Sequence, residues 1–234
     1  MFKVVIFGYN FPHSKCETFI QILKKYNIQI SAYIAAEKIK LKLLKKKFKK
    51  NISLKPIFKP NDLCKLNNIP YYLSAHNSNK TIDIIKKSKA NLGIIAGARI
   101  LKSNIIDSFK YGIINFHPGK ILQASGLDAL LWSISKDLKP YVTTHFIDYR
   151  IDAGRRIFQS EVKINIYDRL EDIKFKSLLA EYEALEKLCK NYLSKKIKIP
   201  SKKIINYKSN NKPMKVAQKI ETLNKFQLWK KKII

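Results

Sequence analysis

Short apolar runs alternate with helical repeats from the first residues of this chain, and that rhythm constrains its fold more than any other feature. Residues 2–7 form an apolar run ending at Gly8, the pattern of a buried strand. Phe19, Ile20, Ile22 and Leu23 then recur at helical spacing over residues 15–26, and residues 28–35 form a second apolar run. The pattern continues with a basic helix over 38–50 and a loop over 51–61 containing Pro56 and Pro60. Next come an extended piece over 71–73, a helix over 80–89, a strand over 91–96, a short helix over 104–109 and a strand over 112–115. A helix over 127–136 sets Leu130, Leu131 and Ile134 on one face. Strands over 141–147 and 156–164 flank a polar turn at 148–154. A long helix over 167–193 carries Leu170, Ile173, Leu178, Leu185 and Leu188 as its core stripe. Strands that alternate with helices predict an α/β fold, a mostly parallel sheet with helices on both faces. Ligands of such sheets gather at the carboxyl ends of the strands, here Gly8, Ala96-Gly97-Ala98-Arg99 and Asn115.

The sequence predicts a domain over residues 1–193 and a basic C-terminal appendage over 194–234. Glu221 is the appendage's only acid, and the segment is expected to pack partly on the core and fray at its end. No apolar run approaches the roughly 18 residues that span a bilayer. The N-terminus enters a strand without a basic leader, so a soluble, cytoplasmic protein with no membrane partner is expected. Cys16, Cys64 and Cys189 have no metal-ligand or disulfide spacing and read as idle thiols of a reducing compartment. The formal net charge of +30 comes from 47 basic against 17 acidic residues, but Arg stands only at 99, 150, 155, 156 and 169. Surfaces that grip phosphates or read bases draw on the planar fork of Arg. The Lys excess accompanies abundant Ile and Asn and reads as compositional bias. Nucleic-acid binding is compatible with Lys42–Lys50 and the tail, but is not favoured.

Asn115 and His117 stand two residues apart at the end of a strand, and Asp152 follows in a Gly-containing turn. A carboxamide can donate to a developing oxyanion, an imidazole can carry a proton near neutral pH, and a carboxylate can hold that imidazole or take a proton itself. Together these are the parts of an acyl-transfer site. Each also has a structural reading: His117 before Pro118-Gly119 can pin a turn, and Asn115 can close a local backbone bond. His145, on a strand, reads equally as structural or as a substrate contact, while His13 and His76 read as structural. His117, His145 and Asp152 are all ligand types, yet no metal site is expected.

The ordered set Asn115-x-His117-Pro118, Gly126, Trp132, Ile134 and Thr144-x-x-x-Asp148-x-x-x-Asp152-x-Gly154 resembles the signature of the folate-dependent formyltransferases. Ala96-Gly97-Ala98-Arg99-Ile100-Leu101 is similar to that family's pterin-binding loop, and the resemblance runs over about residues 1–190. It implies a Rossmann-like formyltransferase fold and 10-formyltetrahydrofolate as formyl donor. It further implies Asn115, His117 and Asp152 as the catalytic triad: a free amine attacks the formyl carbon, Asn115 and protonated His117 stabilise the tetrahedral oxyanion, and Asp152 orients His117 and helps remove the amine proton. Arg99, Ile100 and Leu101 would line the pterin pocket, with Ile147 and Asp148 in the turn closing its other side. One of Arg99, Arg150, Arg155 or Arg156 is expected to meet an anion, either folate glutamate or acceptor phosphate.

Departures from the family pattern bear on the acceptor. Gly8-Tyr9-Asn10-Phe11-Pro12-His13-Ser14 lacks the Gly-x-Gly-Ser cradle of members acting on phosphoribosylglycinamide. About 40 residues follow the long helix, too few for the tRNA-gripping barrel of methionyl-tRNA formyltransferases. Leu122-Gln123 replaces the usual Leu-Pro, and Gly126-Leu127-Asp128 lacks the common Arg before Gly. The expected acceptor is a small, anionic primary amine, with an amino-sugar nucleotide the best choice. The alternatives are a methionyl-tRNA or phosphoribosylglycinamide formyltransferase, a formyltetrahydrofolate hydrolase, and a non-catalytic basic RNA-binding relative. A homodimer is compatible with the sequence.

Overall fold

The computed structural model describes residues 1–38, 55–204 and 211–234, so the basic helix expected over 38–50 lies almost wholly outside the described residues. The chain separates into two compact units, Met1–Gly112 and Ile113–Ile234.

The first unit runs β1 (Lys3–Tyr9), α1 (Ser14–Lys25), β2 (Gln29–Ala36), α2 (Pro60–Leu66), β3 (Tyr71–Leu73), α3 (Asn79–Lys87), β4 (Leu92–Ile95) and α4 (Ser103–Ile106). β1 pairs in parallel with β2 on one edge and β4 on the other, and β3 adds in parallel to β2. A strand flanked on both edges and covered on both faces must be apolar throughout, which is why Val4 to Gly8 are all buried. α1 turns Phe19, Ile20 and Leu23 fully inward. Asn27, with φ 55°, reverses the chain into β2. α2 occupies part of the expected 51–61 loop. Pro60 starts that helix rather than breaking it, because the first turn needs no N–H from its leading residue. At α3 the Ser78 hydroxyl accepts the Thr81 N–H at 3.3 Å.

The second unit runs β5 (Ile113–His117), α5 (Ala129–Ser135), β6 (Tyr141–Phe146), β7 (Arg155–Glu161), α6 (Leu170–Leu188), a π-helical turn (Cys189–Leu193), β8 (Lys202–Lys203), α7 (Val216–Asn224) and α8 (Phe226–Ile233). β5, β6, β7 and β8 are successive antiparallel neighbours. The fold is therefore α/β with a mixed sheet and flanking helices, its parallel pairings described in the first unit and its antiparallel ones in the second. α6 buries Ile173, Leu185 and Leu188, while Leu170 and Leu178 are half-buried at the margin of the stripe.

Near the end of the tail, Phe226–Ile233 is helical as α8. Phe226, Trp229 and Ile233 fall at i, i+3 and i+7, a helical stripe that the intervening lysines conceal. Trp229 and Phe226 pack with Ile134 and Ile173, and the Trp229 indole N–H donates to the Leu138 carbonyl at 2.9 Å. Lys230 is buried beside them, its ammonium donating to the carbonyls of Ile166 and Asp168 at 2.6 and 2.8 Å. Among the described residues no helix is long and apolar enough to cross a membrane. Cys16, Cys64 and Cys189 are buried free thiols, and burial pushes Cys64 and Cys189 up to about 12.

Candidate active site

Asn115 and His117 lie on β5 two residues apart, so their side chains share one face of the strand. Opposite them in the antiparallel register stand His145 and Thr143 of β6. The β6–β7 register shifts between Thr144 and His145, which pair with Phe158 and Arg156, so Ile157 of β7 is the extra residue of a bulge. The turn after β6 carries Asp152 at φ 49° and Gly154 at φ 94°. Only glycine fits at 154, because an added Cβ would stand 2.2 Å from the Phe146 carbonyl oxygen.

The fold brings His117 and Asp152 together, with Nδ1 3.3 Å from Oδ1. The other imidazole nitrogen, Nε2, donates to the Ala124 carbonyl at 2.8 Å. A carbonyl accepts only from a protonated nitrogen, so Nε2 carries hydrogen, and any proton shared with Asp152 sits on the Nδ1 side. The second carboxylate oxygen of Asp152 accepts the Gly126 N–H at 2.5 Å. Thr143 supports the turn after His117 by donating its hydroxyl to the Gly119 carbonyl at 2.7 Å.

Asn115 approaches His145, Nδ2 to Nε2, at 3.4 Å. Nδ1 of His145 donates to the Ala153 carbonyl at 2.8 Å, which leaves Nε2 as the acceptor. This aims the Asn115 carboxamide with its nitrogen toward His145. The second hydrogen of that nitrogen remains for another acceptor, and Asn115 is only half-buried. Residue types and spacing did not reveal these backbone partners, the Ala124 and Ala153 carbonyls and the Gly126 N–H.

His145 is fully buried, and burial lowers it from 6.5 to about 4, helped by nearby His117 and opposed by the Ala153 carbonyl and Asp152. Its folded value lies below its unfolded one, so the unfolded chain takes up the proton first as pH falls. The stabilisation is full above pH 6.5 and is lost toward pH 4. Relative to a His145→Gln protein, the wild type is expected to lose about 1.4 kcal/mol per pH unit across that window. Urea unfolding midpoints of the two proteins from pH 7 down to pH 4.5 check this; parallel curves refute it.

Ile147 extends the β5–β6 ladder, its N–H donating to the Ile113 carbonyl at 2.9 Å. Asp148 accepts from the Arg150 backbone N–H at 2.8 Å and from its guanidinium Nε at 3.1 Å, so these two side chains pair with each other. Arg155 lies over the Phe146 ring at 4.7 Å, and Arg156 donates to Gln159 at 3.2 Å. Arg99, Ile100 and Leu101 fall in the first unit, in the loop between β4 and α4. Asn77 pins that loop by donating to the Ile100 carbonyl and accepting the Lys102 N–H, each at 2.9 Å. Leu101 is buried while the Ile100 side chain is 62% exposed, an apolar surface of the kind a flat ring system packs on. His76 is structural, its Nε2 lying 3.0 and 3.1 Å from the carbonyls of Gly8 and Ile34. His13 is half-buried, and burial pushes it below its usual value. Among the described residues no group of three His, Cys, Asp or Glu side chains is placed to hold a metal.

A family model described as formyl transferase matches residues 3–188. Methionyl-tRNA formyltransferase of Fusobacterium nucleatum is 28% identical over 148 residues, covering 59% of this chain and 47% of that protein. The chain thus spans about half the length of that relative. Among solved structures, a 4-N formyltransferase from Francisella tularensis superposes with a TM-score of 0.63 at 20% identity, covering 95% of this chain and 87% of the other. Phosphoribosylglycinamide formyltransferase from Bacillus halodurans gives 0.61 at 22% identity, covering 80% of this chain and 94% of the other. At these identities the structural likeness speaks to fold.

Proposed function

The chain belongs to the formyl transferase family, and from that premise we propose that it transfers a formyl group from 10-formyltetrahydrofolate to a primary amine. The observation that carries this reading is the pairing of His117 with Asp152 at 3.3 Å, on the strand that also presents Asn115. When bound, the folate supplies an activated formyl group; this chain's residues supply position and electrostatics. Asn115 has a hydrogen to donate to the formyl oxygen as negative charge develops there. His117, held between Ala124 and Asp152, adds positive charge and a transferable proton. Asp152 orients the imidazole and accepts the proton that the amine sheds as its nitrogen bonds the formyl carbon; the bond from that carbon to N10 of the folate breaks, and a proton returned to N10 releases tetrahydrofolate. We assign Arg99, Ile100 and Leu101 of the first unit to the pterin.

The acceptor we favour is an amino sugar carried on a nucleotide. Where β1 gives way to its following loop, and phosphoribosylglycinamide enzymes are expected to carry small residues, Tyr9 and Phe11 stack at 4.8 Å. Aromatic faces suit a base or sugar ring better than they suit a lone phosphate. The likeness to methionyl-tRNA formyltransferase favours a second reading, with methionyl-tRNA as acceptor.

Incubation with 10-formyltetrahydrofolate and a panel of amino-sugar nucleotides, phosphoribosylglycinamide and methionyl-tRNA separates these readings. Formylation of an amino-sugar nucleotide is the expected result. Formylation of methionyl-tRNA alone selects the second reading, formylation of phosphoribosylglycinamide alone overturns both acceptors, formate release without a formylated amine indicates a hydrolase, and the absence of all four products removes the enzymatic proposal.

A further inference from the structure

The loop that grips the site is itself gripped from the far end of the chain. Within residues 123–126, successive backbone groups face opposite ways. The Ala124 carbonyl and the Gly126 N–H turn to His117 and Asp152. The carbonyls of Gln123 and Ser125 turn away, and both accept from the Asn211 carboxamide nitrogen, at 3.1 and 2.9 Å. The Asn211 carboxamide oxygen accepts from Lys136 at 2.7 Å, and the same ammonium donates to the Gln123 carbonyl at 2.6 Å. Gly126 and Asn211 also form a parallel backbone bridge. The neighbours of Asn211 anchor it: the Trp132 indole donates to the Lys212 carbonyl at 3.2 Å, and Asp128 accepts the Met214 N–H at 3.2 Å while pairing with Lys219 at 2.8 Å.

The loop needs such support. Leu122, Gly126 and Asp128 all have φ between 60° and 83°, a region that L side chains enter at a cost. The Ser125 hydroxyl is buried without a hydrogen-bond partner among the described residues, so it does not fix the loop. The Gln123 and Ala124 N–H groups both donate to the Lys120 carbonyl, at 3.1 and 2.8 Å, Lys136 shares the Gln123 carbonyl, and Asn211 is the one side chain that holds both outward carbonyls.

We propose that Asn211 is a positioning residue for the formyl-transfer site, holding the 123–126 loop where its inward groups set the imidazole of His117 and the carboxylate of Asp152. The proposal rests on the reading of His117 and Asp152 as catalytic. Asn211 touches neither side chain, so its effect falls on the chemical step rather than on binding.

Steady-state kinetics, pH–rate profiles and melting curves of the wild type, Asn211→Ala, Asn211→Gln, Asn211→Asp and Lys212→Ala test this. Asn211→Ala is expected to lower kcat by about 10- to 100-fold and to displace the pH–rate profile. The KM for the formyl donor should stay within about threefold. Gln, which keeps the amide on a longer stem, should recover part of the loss. Asp, which turns a carboxylate toward two carbonyls, should not. Lys212→Ala, whose side chain is not used, should match wild type. An Asn211→Ala protein with wild-type kcat overturns the proposal, as does one whose kcat and melting temperature fall while its KM rises in step. A readout that needs no turnover is the ring N–H resonance of His117, expected as a protected signal in wild type and broadened or lost in Asn211→Ala. If the wild type formylates nothing, the functional reading fails, and this resonance alone decides the brace.

Discussion

His117→Ala is expected to lower kcat for formyl transfer by about 10²- to 10⁴-fold, the range set by a positioned proton carrier. The imidazole is 5% exposed and fixed at both nitrogens, by Ala124 at 2.8 Å and Asp152 at 3.3 Å. Truncation therefore has two consequences that must be separated. It removes the proton and the charge, and it leaves a buried carbonyl and a carboxylate without their partner, at about 1–3 kcal/mol for the former. His117→Gln separates them, because its amide N–H can reach toward the Ala124 carbonyl but cannot carry a proton. We expect Gln to lose as much kcat as Ala while recovering part of the lost melting temperature. Single-turnover formyl transfer and thermal melts of the three proteins give the answer. A Gln variant with kcat within about threefold of wild type would falsify the proton-carrying role.

The largest effect on stability is expected at Trp229. It is 1% exposed, lies in the cluster with Ile134, Ile173 and Phe226, and bonds the Leu138 carbonyl at 2.9 Å. Trp229→Ala removes that side chain from a packed site and should destabilise the second unit by about 3–5 kcal/mol. For a chain of this size the melting temperature should fall by roughly 10 °C. Trp229→Phe keeps most of the apolar volume and loses only the indole N–H, so it should fall between the two. Equal melting of wild type and Trp229→Ala would show that α8 contributes nothing to the unit's cohesion.

The strands of the first unit were legible because burial on both faces requires continuous apolar runs, and Val4 to Phe7 and Ala32 to Ala35 carry no competing signal. α2 was less legible, because Pro60 read as a breaker, although proline at a helix start leaves no bond unmade. α8 was hidden because its stripe of Phe226, Trp229 and Ile233 is set among lysines that dominate its composition. At the candidate site the side chains announced themselves by type and spacing. Their supports did not: the Ala124 and Ala153 carbonyls and the Gly126 N–H are backbone groups, and any residue type could supply them. His145 was half-legible, since a strand histidine serves structure and site alike, and only its bond to Ala153 shows which nitrogen faces Asn115.

The grip of Asn211 on the loop also orders events in time. Asn115 and His145 face each other across one antiparallel pair, and Asp152 follows in the next turn, so these groups meet by closing short loops. The bonds from Asn211 to Ser125 and Gln123 span 86 and 88 residues. Chain entropy opposes such long closures until the intervening structure has formed. The groups proposed as catalytic are therefore expected to come together before their brace does.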